Sequence, residues 1–423
     1  MFAAIADSIA LVHLASPLLA LISLIAFEVP RYLLSTIALA LFGLRHDARP
    51  ISNMSVSVIL PAFNNGTSLH ATIASLQQQS AHITEIMLVN EGSSDHTLAV
   101  ARALKRSGVP IAIIQHGTRT GKSAAINHAA RFASGDVILV LDADTIVADS
   151  HAVARLAEAF SDPSVAAACG NLIVRNGDES LSTAVQTVEY LVSVTAGRSF
   201  LDMIDSIGCV SGAFSMYRRS VFRAIGGMNV GPGEDLEITM RLRHMGYRVR
   251  FVAEAMALTR VPSDLFALVH QRLRWDRDAL CVRVFMYRQI FPWSSRERLG
   301  DSLQRLDFLI FDFFPTLFFP FYLTYVLASF GADALSFLLG VYIYLLGLCV
   351  VQILVVIMTA RVRLSWFDVL VLPVLPFYQG FMMRCVRFYA FVSEIYFNCS
   401  RRDDFVPPRV RKALYGKVRH AAE

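Results

Sequence analysis

Val137-Ile138-Leu139-Val140-Leu141-Asp142-Ala143-Asp144 is the stretch whose reading decides the fold: a short apolar strand running into two carboxylates one residue apart. Runs of the same type stand at 56–60, 85–89 and 111–114, with helix-compatible segments between them. That alternation predicts a parallel α/β sheet, in which ligands collect beyond the carboxyl ends of the strands. Those ends carry Pro61, Ala62, Phe63 and Asn64, then Asn90, Glu91, Gly92 and Ser93, then Asp142 to Asp144. The polar residues are therefore expected on one rim.

Working outward, the chain is 423 residues long, 55% hydrophobic and only 17% charged. Its mean hydropathy of +0.49 is too high for an ordinary soluble enzyme of this size. The apolar excess gathers at 9–27 and 32–44 and again at 306–330, 334–360 and 366–397, the longer runs reaching the ~20 residues that cross a bilayer. Residues 1–7 lack Lys and Arg, so the first run reads as a retained anchor of one or two segments. Pro373, Pro376, Arg384 and Arg387 argue against one uninterrupted span at 366–397. Between the ends, 265–285 is amphipathic and precedes Phe291-Pro292-Trp293, the pattern of interfacial helices.

Lys and Arg exceed Asp and Glu by 39 to 34, and the surplus sits at apolar edges: Arg31, Arg45 and Arg49, then Arg361 and Arg363, then a run from Arg401 to Arg419. The positive-inside rule puts these flanks and the central domain in the cytoplasm. No basic run interleaved with aromatics occurs in the central part, which argues against a nucleic-acid partner. The six cysteines lack C-x-x-C spacing, so neither zinc nor a disulfide framework is expected.

Asp142 and Asp144, at a strand end, suit a divalent cation bridging two phosphates; the same residues would also suit a turn that caps the next helix. Gly121-Lys122-Ser123 resembles the end of a Walker A loop, but His116 occupies the place of its first Gly, which excludes that phosphate cradle. Lys122 is left as a point charge for a phosphate or an exposed lysine at a helix start. Glu234 and Asp235 follow Gly231-Pro232-Gly233 and open a helical stretch, where a carboxylate serves as a general base or merely as an acidic first turn. Gln271-Arg272-Leu273-Arg274-Trp275 offers guanidinium groups for phosphate and an indole for a sugar ring, or else snorkelling arginines beside an interfacial Trp. Arg272 and Arg274 are too close in sequence to share one helical face, so distinct targets are expected.

Together these residues resemble the processive, inverting family-two glycosyltransferases, which include cellulose, chitin-oligosaccharide, hyaluronan and bacterial poly-N-acetylglucosamine synthases. Residues 58–64 are similar to the family's first strand and loop, 121–127 to its G-K-x-x-A-x-N helix start and 142–144 to its D-x-D. Residues 210–214 through Arg219 are similar to its V-S-G segment, 233–235 to its T/G-E-D, and 271–275 to its Q-x-x-R-W. The resemblance implies an α/β GT-A domain, with a mixed, mainly parallel sheet and flanking transmembrane and interfacial helices. The implied divisions are an N-terminal anchor at 1–49, a cytosolic catalytic domain at 50–260, interfacial helices at 261–304, transmembrane helices at 305–399 and a basic tail at 400–423.

It also implies a UDP-sugar donor, Mg²⁺ or Mn²⁺ at Asp144, and a general base at Asp235 beside Glu234. Pro61, Ala62, Asn64, Glu91, Lys122, Asp142, Arg272 and Arg274 would bind the donor, and Ser211, Gly212, Gln271 and Trp275 the acceptor. One departure is evident: Glu91 stands where the family usually has Asp before Gly-Ser, one methylene longer, and is expected to keep the uridine contact. The arrangement looks closest to the poly-β-1,6-N-acetylglucosamine synthases, making UDP-N-acetylglucosamine the first choice of donor and a bacterial inner membrane the expected location. A glycan or a lipid could accept the sugar, membrane lipids surround the protein, and an accessory subunit is a further possible partner. The alternative is a non-processive transferase adding one or a few sugars, glucose or similar, to a membrane lipid.

Overall fold

The computed structural model describes residues 29–43, 53–229, 231–288, 298–360 and 365–402. The apolar run at 9–27, Arg45, Arg49, Phe291-Pro292-Trp293, Arg361, Arg363 and the tail beyond 402 lie outside the described residues. The strands are β1 (Val56–Ala62), β2 (Ile83–Glu91), β3 (Ile111–His116), β4 (Val137–Leu141), β5 (Ile146–Val147), β6 (Val165–Val174), β7 (Phe214–Arg218) and β8 (Arg248–Thr259). They form one eight-stranded sheet in the order β3-β2-β1-β4-β7-β6-β8-β5. Strands β3, β2, β1 and β4 are mutually parallel, whereas β7 runs antiparallel to both β4 and β6, so the sheet is mixed.

The parallel half is centred on β1 and β4, which are buried almost throughout because both of their faces are covered, while β3 at the edge is partly exposed. In β4 all residues are buried. Val58, Leu60 and Leu139 pack with helices Leu69–Gln77 and Ala152–Glu158 on one face. Ile59, Ile138 and Val140 pack with Lys122–Ala130 and Glu234–His244 on the other. The order reverses between β1 and β4, and a crevice opens beyond such a reversal.

Helical structure runs from Leu181 through Tyr190, widens into a π-helical stretch at Leu191–Gly197 and continues as Arg198–Met203. Its Ala184, Val185 and Val188 pack with Leu268 of the amphipathic helix Leu265–Leu280 and with Ile353 and Leu375 of the C-terminal helices. Leu191 and Ala196 pack with Leu39 of helix Val29–Phe42 and with Val356. Among the described residues two helical runs are long and apolar enough to cross a membrane, Leu299–Thr359 and Trp366–Phe397. The second is broken at Leu372–Val374 and widened at Tyr378–Met382, the interruption foreseen from its prolines.

β6 shifts register against β8 between Gly170 and Asn171. A Cβ on Gly170 would overlap both the Phe214 ring and the Ala255 carbonyl oxygen, so only glycine lets β7, β6 and β8 approach there. Gly170→Ala is expected to destabilise the fold by about 2 kcal/mol, the scale of an overpacked core. Denaturant unfolding of the full chain measures it.

Candidate active site

The D-x-D residues emerge where β4 ends, and their backbone is held against the loop before β7: the Asp142 N–H donates to the Ala213 carbonyl at 3.1 Å. That bond brings 210–214 alongside 142–144, two segments far apart in sequence. Lys122, the first residue of helix Lys122–Ala130, reaches into the junction. Its Nζ lies 2.5 Å from Asp142 Oδ1 and donates to the Gly212 carbonyl at 3.0 Å. A Cβ built on Gly212 would stand 3.1 Å from Asp235 Oδ2 and 3.5 Å from Lys122 Nζ, so the Gly212 backbone lies between the two with little room to spare.

Asp235 enters from the N-terminus of helix Glu234–His244, which Gly233 opens in a left-handed conformation at φ +61°. The Leu236 N–H donates to Asp235 Oδ1 at 2.8 Å, leaving Oδ2 toward Gly212. The electrostatics follow from crowding. Burial alone would lower the Lys122 ammonium, but Asp142, Glu234 and Asp235 outweigh it and hold the pKa above its ordinary value. Burial, with Asp142 beside it, raises the Asp144 carboxyl. Burial also raises Glu234, Asp235 adds to the rise, and the charges of Lys122 and Arg274 oppose it.

Asp142 and Asp144 are hard oxygen donors of the kind that bind Mg²⁺ or Mn²⁺. Among the described residues no three His, Cys, Asp or Glu side chains group into a closed cage. A cation at Asp144 would thus need further oxygens from a ligand, which fits one that bridges a diphosphate.

Around the second loop, Glu91 is buried, and burial raises its carboxyl while Thr120, Arg119 and Lys122 counteract. Thr120 Oγ1 donates to Glu91 Oε1 at 3.1 Å. The Arg119 guanidinium lies 4.5 Å over the Phe63 ring. Asn64 is a brace: its Oδ1 accepts the Ser94 N–H at 2.9 Å and its own N–H donates to Ser93 Oγ at 3.0 Å. Pro61 and Ala62 are the last residues of β1, and Ala62 is buried.

The Q-x-x-R-W block lies on helix Leu265–Leu280, and its arginines do take distinct targets. Arg272 donates to Glu189 Oε2 at 2.7 Å, an oxygen that also accepts the Tyr378 hydroxyl at 3.0 Å. Its guanidinium is stacked 4.6 Å over the Trp275 ring, which is 40% exposed. The diphosphate role expected for Arg272 thus meets a competing carboxylate. Arg274 instead has its charge felt at Glu234. Among the described residues Gln271 Oε1 is buried without a hydrogen-bond partner, and Ser211 is buried beside Gly212. No site role was expected of Arg119, Thr120 or Glu189; Arg119 and Thr120 lie just before the Gly121-Lys122 helix start, and Glu189, with Tyr190, counted only as part of the resemblance, for its place before the V-S-G segment.

A parallel half-sheet with an acidic D-x-D at its reversal, joined by a lysine to an acidic helix start, defines a glycosyltransferase of the GT-A type. The family model described as "Glycosyl transferase family 2" matches residues 57–226. An N-acetylglucosaminyltransferase of Azorhizobium caulinodans is 31% identical over 277 residues, 61% of this chain and 69% of that protein. The chain belongs to glycosyl transferase family 2. A poly-beta-1,6-N-acetyl-D-glucosamine synthase of Staphylococcus aureus is 29% identical over 222 residues, 52% of this chain, and the match spans about half, 53%, of that protein. The fold is shared with mannosyltransferase PcManGT from Pyrobaculum calidifontis, solved with GDP-Man and Mn²⁺, at a TM-score of 0.60 and 16% identity over 94% of this chain and 99% of that one.

Because folding raises the Glu234 pKa, the stability linked to this group is full below the ordinary carboxyl range and is lost as pH rises through the raised value. Glu234→Gln is therefore expected to melt about 2–4 °C above wild type at pH 8, and the gain to vanish near pH 4. Thermal melts at the two pH values check it.

Proposed function

We propose that the chain is a membrane-embedded, processive, inverting β-glycosyltransferase that polymerises sugar from a UDP-sugar, first of all UDP-N-acetylglucosamine, into an exported polysaccharide. The observation that carries this is the Lys122 ammonium, which touches Asp142 and the Gly212 carbonyl and has Glu234 and Asp235 as charged neighbours. Donor-side and acceptor-side motifs share one charge cluster. Relatives named as an N-acetylglucosaminyltransferase and a poly-β-1,6-N-acetylglucosamine synthase support the sugar and the polymer.

In this reading Asp235 Oδ2 takes the proton of an acceptor hydroxyl while that oxygen attacks the anomeric carbon; the bond from this carbon to the diphosphate breaks, and its electron pair leaves with UDP. Attack from the face opposite the leaving group inverts the configuration. Asp144 would hold a divalent cation, with Asp142 beside it and the diphosphate completing the ligands; the cation supplies charge neutralisation for the leaving group. Asp142, Lys122 and Arg274 orient the donor, Gln271 and Trp275 the acceptor. Arg272, tied to Glu189, anchors the helix that presents them. Glu91, with Phe63 and Arg119 near it, faces the uracil.

The helical runs Leu299–Thr359 and Trp366–Phe397 support membrane embedding, and in this reading the protein is a multi-pass one of the bacterial inner membrane, with the catalytic domain on the cytoplasmic side where the basic flanks put it. UDP release from protein in lipid nanodiscs, with product length resolved, tests the whole reading. Asp235→Asn is expected to lower kcat at least ~10³-fold with donor Kd held within about threefold. Release at the wild-type rate would remove Asp235 as base, and short lipid-linked products would replace the polymerase with a glycolipid transferase. Mn²⁺ with UDP is further expected to raise the melting temperature of wild type but not of Asp144→Asn.

A further inference from the structure

Strands β2 and β3 end side by side, with Glu91 in register with His116. From that pair a continuous hydrogen-bonded chain leads away from the crevice. Thr120 Oγ1 donates to Glu91 Oε1 at 3.1 Å, His116 Nδ1 is 2.8 Å from Thr120 Oγ1, and His116 Nε2 is 2.8 Å from His128 Nδ1. The two imidazoles lie nearly parallel, 18° apart, with centroids 5.1 Å apart, as rings joined end to end by that hydrogen bond do, and Phe132 packs on His128 at 5.7 Å.

Proton counting gives the chain one direction. Thr120 has a single hydroxyl proton and uses it on Glu91, so it must accept from His116 Nδ1–H. A neutral His116 with its proton on Nδ1 has a bare Nε2, which accepts from His128 Nδ1–H. Burial and the adjacent His128 hold the His116 pKa below its ordinary value, in keeping with the neutral ring.

We propose that Thr120, His116 and His128 are positioning residues for nucleobase recognition, a one-way line of donors that fixes the Glu91 carboxylate where it accepts the N–H of uracil. This rests on the reading that Glu91 faces the base. Glu in place of Asp adds one rotatable bond, and an untethered carboxylate would be ordered only at the expense of binding free energy. The Thr120 bond orders it beforehand and leaves acceptor capacity for the base, since a carboxylate offers about four lone-pair sites. Gly92, at φ +70°, lets the loop after β2 pass close to Thr118 and Arg119, so the tether and the carboxylate share one rigid corner.

The test is calorimetric binding of UDP and CDP to the full chain in nanodiscs, cytosine lacking the N3–H of uracil. Thr120→Val is expected to weaken UDP about tenfold and to lower the UDP-over-CDP preference by a similar factor, with Thr120→Ser restoring both. His116→Phe, which keeps a ring but loses the donor, should move both in the same direction. Glu91→Ala separates the two layers: if it leaves UDP binding unchanged, the reading of Glu91 falls and takes the inference with it. If Glu91→Ala weakens UDP while Thr120→Val and His116→Phe bind both nucleotides as wild type does, the inference alone is overturned. Nitrogen NMR of histidine-labelled wild type, which needs no variant to fold, should find His116 as the Nδ1–H tautomer; the Nε2–H tautomer would overturn the chain.

Discussion

The site depends on one ammonium among carboxylates. Lys122 faces Asp142 directly, and its charge also acts on Asp144 and Glu234, with Asp235 a further neighbour. Four acidic side chains around one lysine leave the crevice short of positive charge even with Arg274 near Glu234. Like charges at such separations repel by kcal/mol in a partly dehydrated site. Added positive charge would ease the entry of an anionic donor there, which agrees with the proposal that Asp144 would hold a divalent cation. The Gly212 carbonyl, which accepts from Lys122, and the left-handed Gly233 stand where three separate segments close on that lysine.

The same economy of partners joins the sheet to the apolar helices. Arg272, Glu189 and Tyr378 bind one another across the amphipathic helix, the Leu181–Tyr190 helix and the C-terminal bundle. Arg387 pairs with Asp276 at 3.0 Å and with Asp312 at 2.5 Å, and Arg243 pairs with Asp301 of helix Leu299–Asp307. In each of these pairs the charge meets an opposite one from another element. Such pairs add little net stability, but losing either partner leaves a bare charge inside, so they fix how the elements dock.

The parallel half of the sheet was legible because its strands have apolar centres that end in polar turns, whereas β5 to β8, half of the eight strands, were not marked in this way. Strands β1 to β4 lie where those runs were expected, with β2 extended to Ile83–Glu91 by the β-branched Ile83 and Thr84 before it and by Asn90 and Glu91 after it, and β1 and β3 running two residues further, to Ala62 and His116. The converging rim was legible for the same reason. What could not be read was pairing at long range: Arg272 and Glu189 are 83 residues apart, and Thr120 and Glu91 29 apart, with no local pattern linking either pair. His116 shows the limit well. In sequence it only excluded a phosphate loop; in space it stands beside Glu91 because β2 and β3 end together.

The register of β8 beside β6 bears on how small this protein can be made. The region matched by the family model stops at residue 226, before the helix that carries Asp235 and before β8. A fragment cut there would leave β6 with an unpaired edge and strip Arg250 from Asp202, its buried partner at 2.8 Å. It would also uncover Val188 and Leu191, whose neighbours come from the C-terminal helices. A fragment must therefore reach past β8 to keep the sheet whole, and without the C-terminal helices it still leaves the Leu181–Gly197 helical stretch uncovered.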